Sequence, residues 1–295
     1  MISLNFSQAE QELMQSLFSN QKDYYDIFKI PKKKRGQFRE IIAPNEEYKN
    51  LQRKIYNSIY GQLPNHPSSF AWTENRDRQK CLIPHVGKDW VMESDVKNYF
   101  KNIRTFHLLP LVQLIKTNIG YNDLINILTI QDNNGIRFLP QGFVTSPIFA
   151  NAVRYNLDVA LHNYIADKDI EITFYGDNII SSSNNVEQLV ELQSVIKDLY
   201  NNEGFSVEKQ PIKPHYYNQE ILGFLINEKF NMSHKYYKKL LSSVIDSINS
   251  PTKLISLSLQ GKINLLKLND NPRDYKYITN FIKNNGGILE KIETT

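Results

Sequence analysis

Apolar side chains recur along this chain with two different periods, and the switches between them outline its elements. Ser7-Gln-Ala-Glu10 reads as a capping box that opens a helix with Leu13, Met14, Leu17 and Phe18 on one face. Between Phe28 and Ala43, two apolar-leaning segments flank a basic loop, the pattern of a hairpin with a cationic tip. Leu51, Ile55, Ile59 and Tyr60 then return to helical spacing until Pro64. A strand follows that ends at Asp95, and a helix-rich stretch spans Leu108 to Leu128. Ser146-Pro147 predicts a helix start, with serine as N-cap and proline at the first helical position, running to Ile165.

Further on, Ile172 to Ser181 places two β-rich arms around Gly176-Asp177-Asn178, a strong hairpin signal. A helix is expected from Asn184, with Glu187 three residues on, stopping before Gly204. Ile221 to Ile226 reads as one apolar strand, and the chain from Ser233 onward as helices. There is no internal repeat. Strands and helices interleave without the regular alternation of a doubly wound sheet, so the expected class is α+β.

Composition narrows this picture without deciding function. With 295 residues, 41% of them hydrophobic, the chain can bury a substantial core as one multi-lobed unit. A net charge of +4 says little about partners. Local charge says more: Lys32, Lys33, Lys34, Arg35 and Arg39 crowd one stretch, and Lys229, Lys235, Lys238 and Lys239 another. Cys81 is the only cysteine, which excludes a disulfide or a cysteine-rich zinc site within the chain. No apolar run approaches the ~20 residues of a membrane span, and the N-terminus lacks a signal peptide's pattern. A cytoplasmic protein without membrane contact is expected.

Two acids stand out by position. Asp95 ends a strand and Asp177 sits at a hairpin tip. Either alone is ordinary turn chemistry. Together they could share divalent cations, since Mg2+ takes a few carboxylates and leaves its other positions to water and phosphates.

Their neighbours give the pair its meaning. Ile30-Pro-Lys-Lys-Lys34 with Arg39, Ala43-Pro44 and Leu51-Gln52 resembles the fingers motif of reverse transcriptases. His85-Val-Gly-Lys88 leading into Asp95-Val-Lys-Asn-Tyr-Phe100 resembles the retron form of their first catalytic motif. Leu139-Pro-Gln-Gly142, followed by Thr145-Ser-Pro147 and Asn151, resembles the nucleotide-positioning loop of retron and group II intron enzymes. Tyr175-Gly-Asp-Asn178 resembles the family's Tyr-x-Asp-Asp hairpin, Gln219 to Ile226 its primer grip, and Gly261-Lys-Ile-Asn264 a retron-like thumb helix.

The chain is thus similar to bacterial retron-type reverse transcriptases over residues 25 to 270. The resemblance implies a right-hand polymerase with N-terminal helices and fingers in 1–90, a palm in 91–228 and a helical thumb in 229–295. A helical fingers insertion is expected around 104–135. It implies RNA-directed DNA synthesis with Mg2+, Mn2+ being the alternative, held by Asp95 and Asp177, with Asn178 completing the catalytic set. Nucleotide contacts fall to Lys33, Arg39, Val96, Phe100, Gln141 and Gly142, and primer or template contacts to Leu222, Gly223 and Lys262. Phe100 would bar the 2′-hydroxyl, with a plain core phenylalanine as the other reading. The implied partners are an RNA template, its DNA product, deoxynucleoside triphosphates, a structured noncoding RNA and an effector protein of antiviral defence. Untemplated or protein-primed synthesis and a degenerate RNA-binding scaffold are the alternatives.

Three positions depart from the family pattern. Asn178 replaces an aspartate, which removes a charged ligand. Cys81 stands where retron enzymes carry asparagine, and Ile221-Leu-Gly223 replaces Val-Thr-Gly. The lysine expected after the hairpin is either Lys209 or Lys213.

Overall fold

A computed structural model describes residues 2–32, 36–208, 211–268 and 273–291. It is α+β, and an antiparallel five-stranded sheet organises it. Trp90–Val96 lies centrally, flanked by Val207–Glu208 and by Asn178–Ser183, with Glu171–Tyr175 beyond. Lys213–Pro214 pairs with the first residues of the central strand.

Period-two alternation makes this sheet the wall between two apolar cores. Met92, Val96 and Ile179 enter the larger core, against Leu189, Leu192 and Ile196 of the helix Val186–Asn202. Val91 and Ile180, one residue away on each strand, enter the smaller one, with Phe224, Leu240 and Val244. By the same parity, Glu93 and Asp95 share the face of Val91, and Asn178 shares that of Ile180. The acidic end of the sheet therefore opens on the side of the smaller core.

The first helix, Gln8–Ser19, has the full capping box: the Glu10 N–H donates to Ser7 Oγ, and the Ser7 N–H to the Glu10 carboxylate. The basic-tipped hairpin is Tyr25–Pro31 paired with Phe38–Pro44. Glu46–Ile59 follows, burying Leu51, Ile55 and Ile59 on one stripe. The long helix Ser146–Ile165 ends where periodicity placed it. The C-terminal part is built on the helices His234–Asn249, Leu257–Asn264 and Arg273–Asn284. No described helix is long and apolar enough to cross a membrane.

Five local expectations need correction. The chain from Ser233 onward is not wholly helical, since Leu254–Ile255 and Ile288–Leu289 pair as parallel strands. The stretch Leu108 to Leu128 is not wholly helical: Ile115–Thr117 is a strand, paired in parallel with Ile2–Leu4. Such a pairing across the chain leaves no local period to read. Ser146 is the first residue of its helix rather than its cap. Thr145 takes the cap position without a side-chain bond, both residues being buried so that packing sets the helix entry. Asn185, not Asn184, caps the next helix, because Asn184 is bound to Asp169. Finally, Ile221 to Ile226 is not one strand. Leu222 and Gly223 both adopt left-handed backbone (φ 50° and 91°), turning the chain between Glu220–Ile221 and Phe224–Leu225.

Candidate active site

Asp95 is the penultimate residue of the central strand and stands opposite Asn178 in register. Gly176 and Asp177 form the two-residue turn of the neighbouring hairpin, with Gly176 at φ +65°. The Val96 N–H donates to the Asp177 carbonyl at 2.9 Å, so one backbone bond joins the two acid-bearing segments. Both carboxylates line a single cleft of about 540 Å³. Burial and the nearby charges of Asp177, Glu208 and Glu93 push the Asp95 carboxyl up to about 6, with Lys32 acting against them. That mutual repulsion is what a bound cation relieves.

The residues fit a hard divalent ion. Among the described residues, no group of three or more His, Cys, Asp or Glu side chains is placed to hold a metal ion, so Asp95 and Asp177 would offer an ion few protein ligands. Mg2+ suits such a site, since it binds one or two carboxylates and takes the rest from phosphates and water. Asn178 is oriented differently from a carboxylate ligand: its Nδ2 donates to the Tyr175 carbonyl at 3.2 Å and to Asp177 Oδ1 at 3.4 Å.

The other sequence-derived residues fall into two groups. Arg39, Phe100 and Gln141 line the same cleft, as does Lys32. Lys33, with Lys34 and Arg35, lies outside the described residues. Gly142 lines an adjoining recess of about 220 Å³ together with Asp177 and Trp72. The lack of a side chain at Gly142 serves a contact the sequence did not suggest: a Cβ there would lie 2.3 Å from the Ile42 carbonyl, and φ is +112°. The Ile42 N–H donates to the Gln141 carbonyl at 2.7 Å, locking this loop to the basic hairpin. Val96 is not among the residues lining the cleft: its side chain is buried in the larger core and its N–H is bonded to the Asp177 carbonyl.

Phe100 is buried yet forms part of the cleft wall, where its ring meets Trp72 edge-on at 5.5 Å. Trp72 was not singled out by sequence. It is 41% exposed at φ +57°, and a Cβ on Gly176 would come within 3.2 Å of its ring. A bulky residue in that backbone region costs on the order of 1–3 kcal/mol. A tryptophan in a polar loop was the one available signal.

A second cleft of about 710 Å³ opens on the far side of Asn178. Leu222, Gly223, Lys213, Lys235, Tyr236 and Lys239 line it. Tyr236 also packs against the smaller core, so the tyrosine is partly structural, while Lys235 and Lys239 are exposed and Lys213 is half-buried. Lys213 occupies this cleft and Lys209 lies outside the described residues. Lys262 is exposed on its helix and is not among the residues lining the clefts described here.

Two buried groups stiffen the hairpin. His85 lies 2.7 Å from both Ser182 Oγ and Thr173 Oγ1, bridging its two arms. Thr173 Oγ1 donates to the Cys81 carbonyl, so His85 Nε2 is a donor and Nδ1 accepts from Ser182. Burial pushes the His85 pKa down to about 3, which keeps the ring neutral. From the long helix, Arg154 donates to the Gly176 carbonyl.

Residues 30–226 match the family described as reverse transcriptase (RNA-dependent DNA polymerase). The chain is 23% identical to the retron Ec86 reverse transcriptase of Escherichia coli over 75% of its own length and 69% of that protein's. It is 30% identical to the retron Ec73 reverse transcriptase of the same species over 52% of this chain, and 25% identical to the retron Mx65 reverse transcriptase of Myxococcus xanthus over 74%. It spans 51% and 54% of those two proteins, about half of each. Among solved structures it is similar to Candida tropicalis telomerase in complex with a fragment of telomeric RNA (TM-score 0.52, 12% identity, covering 92% of this chain and 56% of that one).

Proposed function

From its membership of the reverse transcriptase family, RNA-directed DNA polymerases with the right-hand fold, we propose that this chain extends a DNA strand on an RNA template, with Asp95 and Asp177 as its metal ligands. The observation that carries this reading is the meeting of those two carboxylates in one cleft, across paired strands. A pair of divalent cations bound there would activate the primer 3′-hydroxyl and steady the departing pyrophosphate. The protein supplies the rest.

Arg39 holds phosphate oxygens of the incoming nucleotide from the basic hairpin, since a guanidinium can bind them in bidentate fashion. Lys32, in the same cleft, adds a point charge, and Lys33 is assigned the same task by its place in the motif. Phe100 closes the floor where a 2′-hydroxyl would lie, Val96 fixes that floor through its backbone, and Gln141 meets the nascent base pair. Asn178 contributes a hydrogen bond to Asp177 in place of a second charge. Primer and product leave along the second cleft, past Leu222 and Gly223, with Lys213, Lys235 and Lys239 facing the phosphates. Lys262 meets the duplex farther out.

Similarity to retron enzymes supports a dedicated structured noncoding RNA as template, and an antiviral defence role with an effector protein, in the cytoplasm. The test supplies purified protein with deoxynucleotides and either Mg2+ or Mn2+, with and without a primed RNA, and sequences the product. Complementary DNA that requires the RNA supports the reading. Incorporation that is indifferent to RNA points to untemplated synthesis, and none in either metal to a binding scaffold.

A further inference from the structure

The long helix carries a charged pair on its buried stripe, between Asn151 and Leu161. Arg154 is 1% exposed and Asp158 is fully buried, with Arg154 Nε 2.9 Å from the carboxylate. Arg154 Nη2 donates to Ser69 Oγ at 2.6 Å, and the guanidinium carbon sits 4.6 Å over the Phe174 ring. The remaining nitrogen, Nη1, donates to the Gly176 carbonyl. Burying a cation is costly unless its donors are met, and here each nitrogen has a partner.

The carbonyl that Arg154 holds belongs to the peptide joining Gly176 to Asp177. The following peptide is held as well, because the Asp177 carbonyl accepts from the Val96 N–H at 2.9 Å. Both peptide planes flanking the Asp177 Cα are therefore fixed, one from the strand that bears Asp95 and one from the helix. Fixing both planes fixes the direction of the Cα–Cβ bond. We propose that Arg154 is a positioning residue that aims the Asp177 carboxylate for metal binding, with Asp158 and Ser69 orienting its guanidinium. Because this helix starts directly after the loop of Gln141 and Gly142, the same rigid element ties the metal ligand to the nucleotide-facing loop.

The proposal rests on the metal reading of Asp177, and its test separates the two. Mn2+ binding to the full chain is followed by electron paramagnetic resonance for the wild type, Arg154→Lys, Ser69→Ala, Asp177→Ala and Leu192→Ala. Lysine keeps the charge but cannot reach Asp158, Ser69 and Gly176 together. Leu192→Ala loosens the larger core away from the turn, and reports what destabilisation alone does. Arg154→Lys is expected to weaken Mn2+ binding about tenfold, the scale of one hydrogen bond to a charged group. Ser69→Ala should weaken it about twofold to threefold in the same direction, and covers the case in which Arg154→Lys fails to fold. Leu192→Ala should leave affinity unchanged below its melting temperature. Mn2+ affinity retained in Arg154→Lys or, should that not fold, in Ser69→Ala, while Asp177→Ala loses it, overturns the proposal. An equal loss in Leu192→Ala overturns it too, by showing a structural effect. Retained affinity in Asp177→Ala would instead remove the metal reading of that acid, and this proposal with it.

Discussion

The two hairpins that meet at the cleft are built in opposite ways. Tyr25–Pro31 and Phe38–Pro44 form a two-stranded ribbon in which Ile27, Phe28, Ile30 and Phe38 are each more than half exposed. Its firm attachment to the loop of Gln141 and Gly142 is at the base, where Ile42 meets both residues. The hairpin of 171–183 is buried instead. Its arms belong to the five-stranded sheet, His85 bridges them, and Arg154 holds the turn. A metal ligand must stay within a fraction of an ångström of its place, whereas a phosphate-binding arm must open to admit its substrate. Under the proposed function the contrast in burial suits that division of labour: the buried hairpin would hold geometry, and the exposed one would be free to close on its substrate.

The sharpest way to break the contrast is to loosen the buried hairpin. His85→Ala strips the buried Ser182 hydroxyl of its partner and takes one bond from Thr173, which keeps the Cys81 carbonyl; this should cost about 3 kcal/mol of stability. Denaturant unfolding measures this, and extension activity should fall with it. Gly142→Ala attacks the joint between the hairpins. The Cβ would collide with the Ile42 carbonyl, and a displacement of that size costs roughly a hundredfold in turnover. The melting temperature should fall as well, because a Cβ at φ +112° strains the backbone, so turnover is compared well below the transition.

Arg39→Ala probes the exposed hairpin. Removing one charged contact should raise the KM for deoxynucleotides about tenfold, with the melting curve unmoved because the residue is exposed. The smallest effect is in pH. The folded protein keeps His85 neutral down to about pH 3, while the unfolded chain takes up a proton below the ordinary value of 6.5. Stability due to this group is therefore complete above pH 6.5 and is lost as pH falls, by at most about 1.4 kcal/mol per unit. His85→Gln should show a shallower decline between pH 6.5 and 4.5 in parallel unfolding curves.

Much of this was legible in the chain. Capping residues and helical stripes placed Gln8–Ser19, Glu46–Ile59 and the long helix. Alternation around Gly176 placed the hairpin, and spaced motifs named Asp95 and Asp177, because local periods and turn chemistry act within a few residues. What stayed hidden depends on distant contacts. Ile2–Leu4 finds Ile115–Thr117 across the fold. Gly142 is constrained by Ile42 rather than by a local turn. Trp72 matters through where its loop is carried. Arg154 and Asp158 left a fainter trace, since they fall on the stripe of Asn151, Leu161 and Ile165, where a charged pair four residues apart marks a buried network.

In the proposed reaction, Asp95 and Asp177 act together on one set of metal ions during copying of RNA. Single-turnover extension of a primed RNA with Mg2+, comparing the wild type with Asp95→Asn and Asp177→Asn, addresses it directly. Each variant should lose roughly a thousandfold in rate, with primed-RNA affinity retained. Extension by either variant at close to the wild-type rate would contradict it.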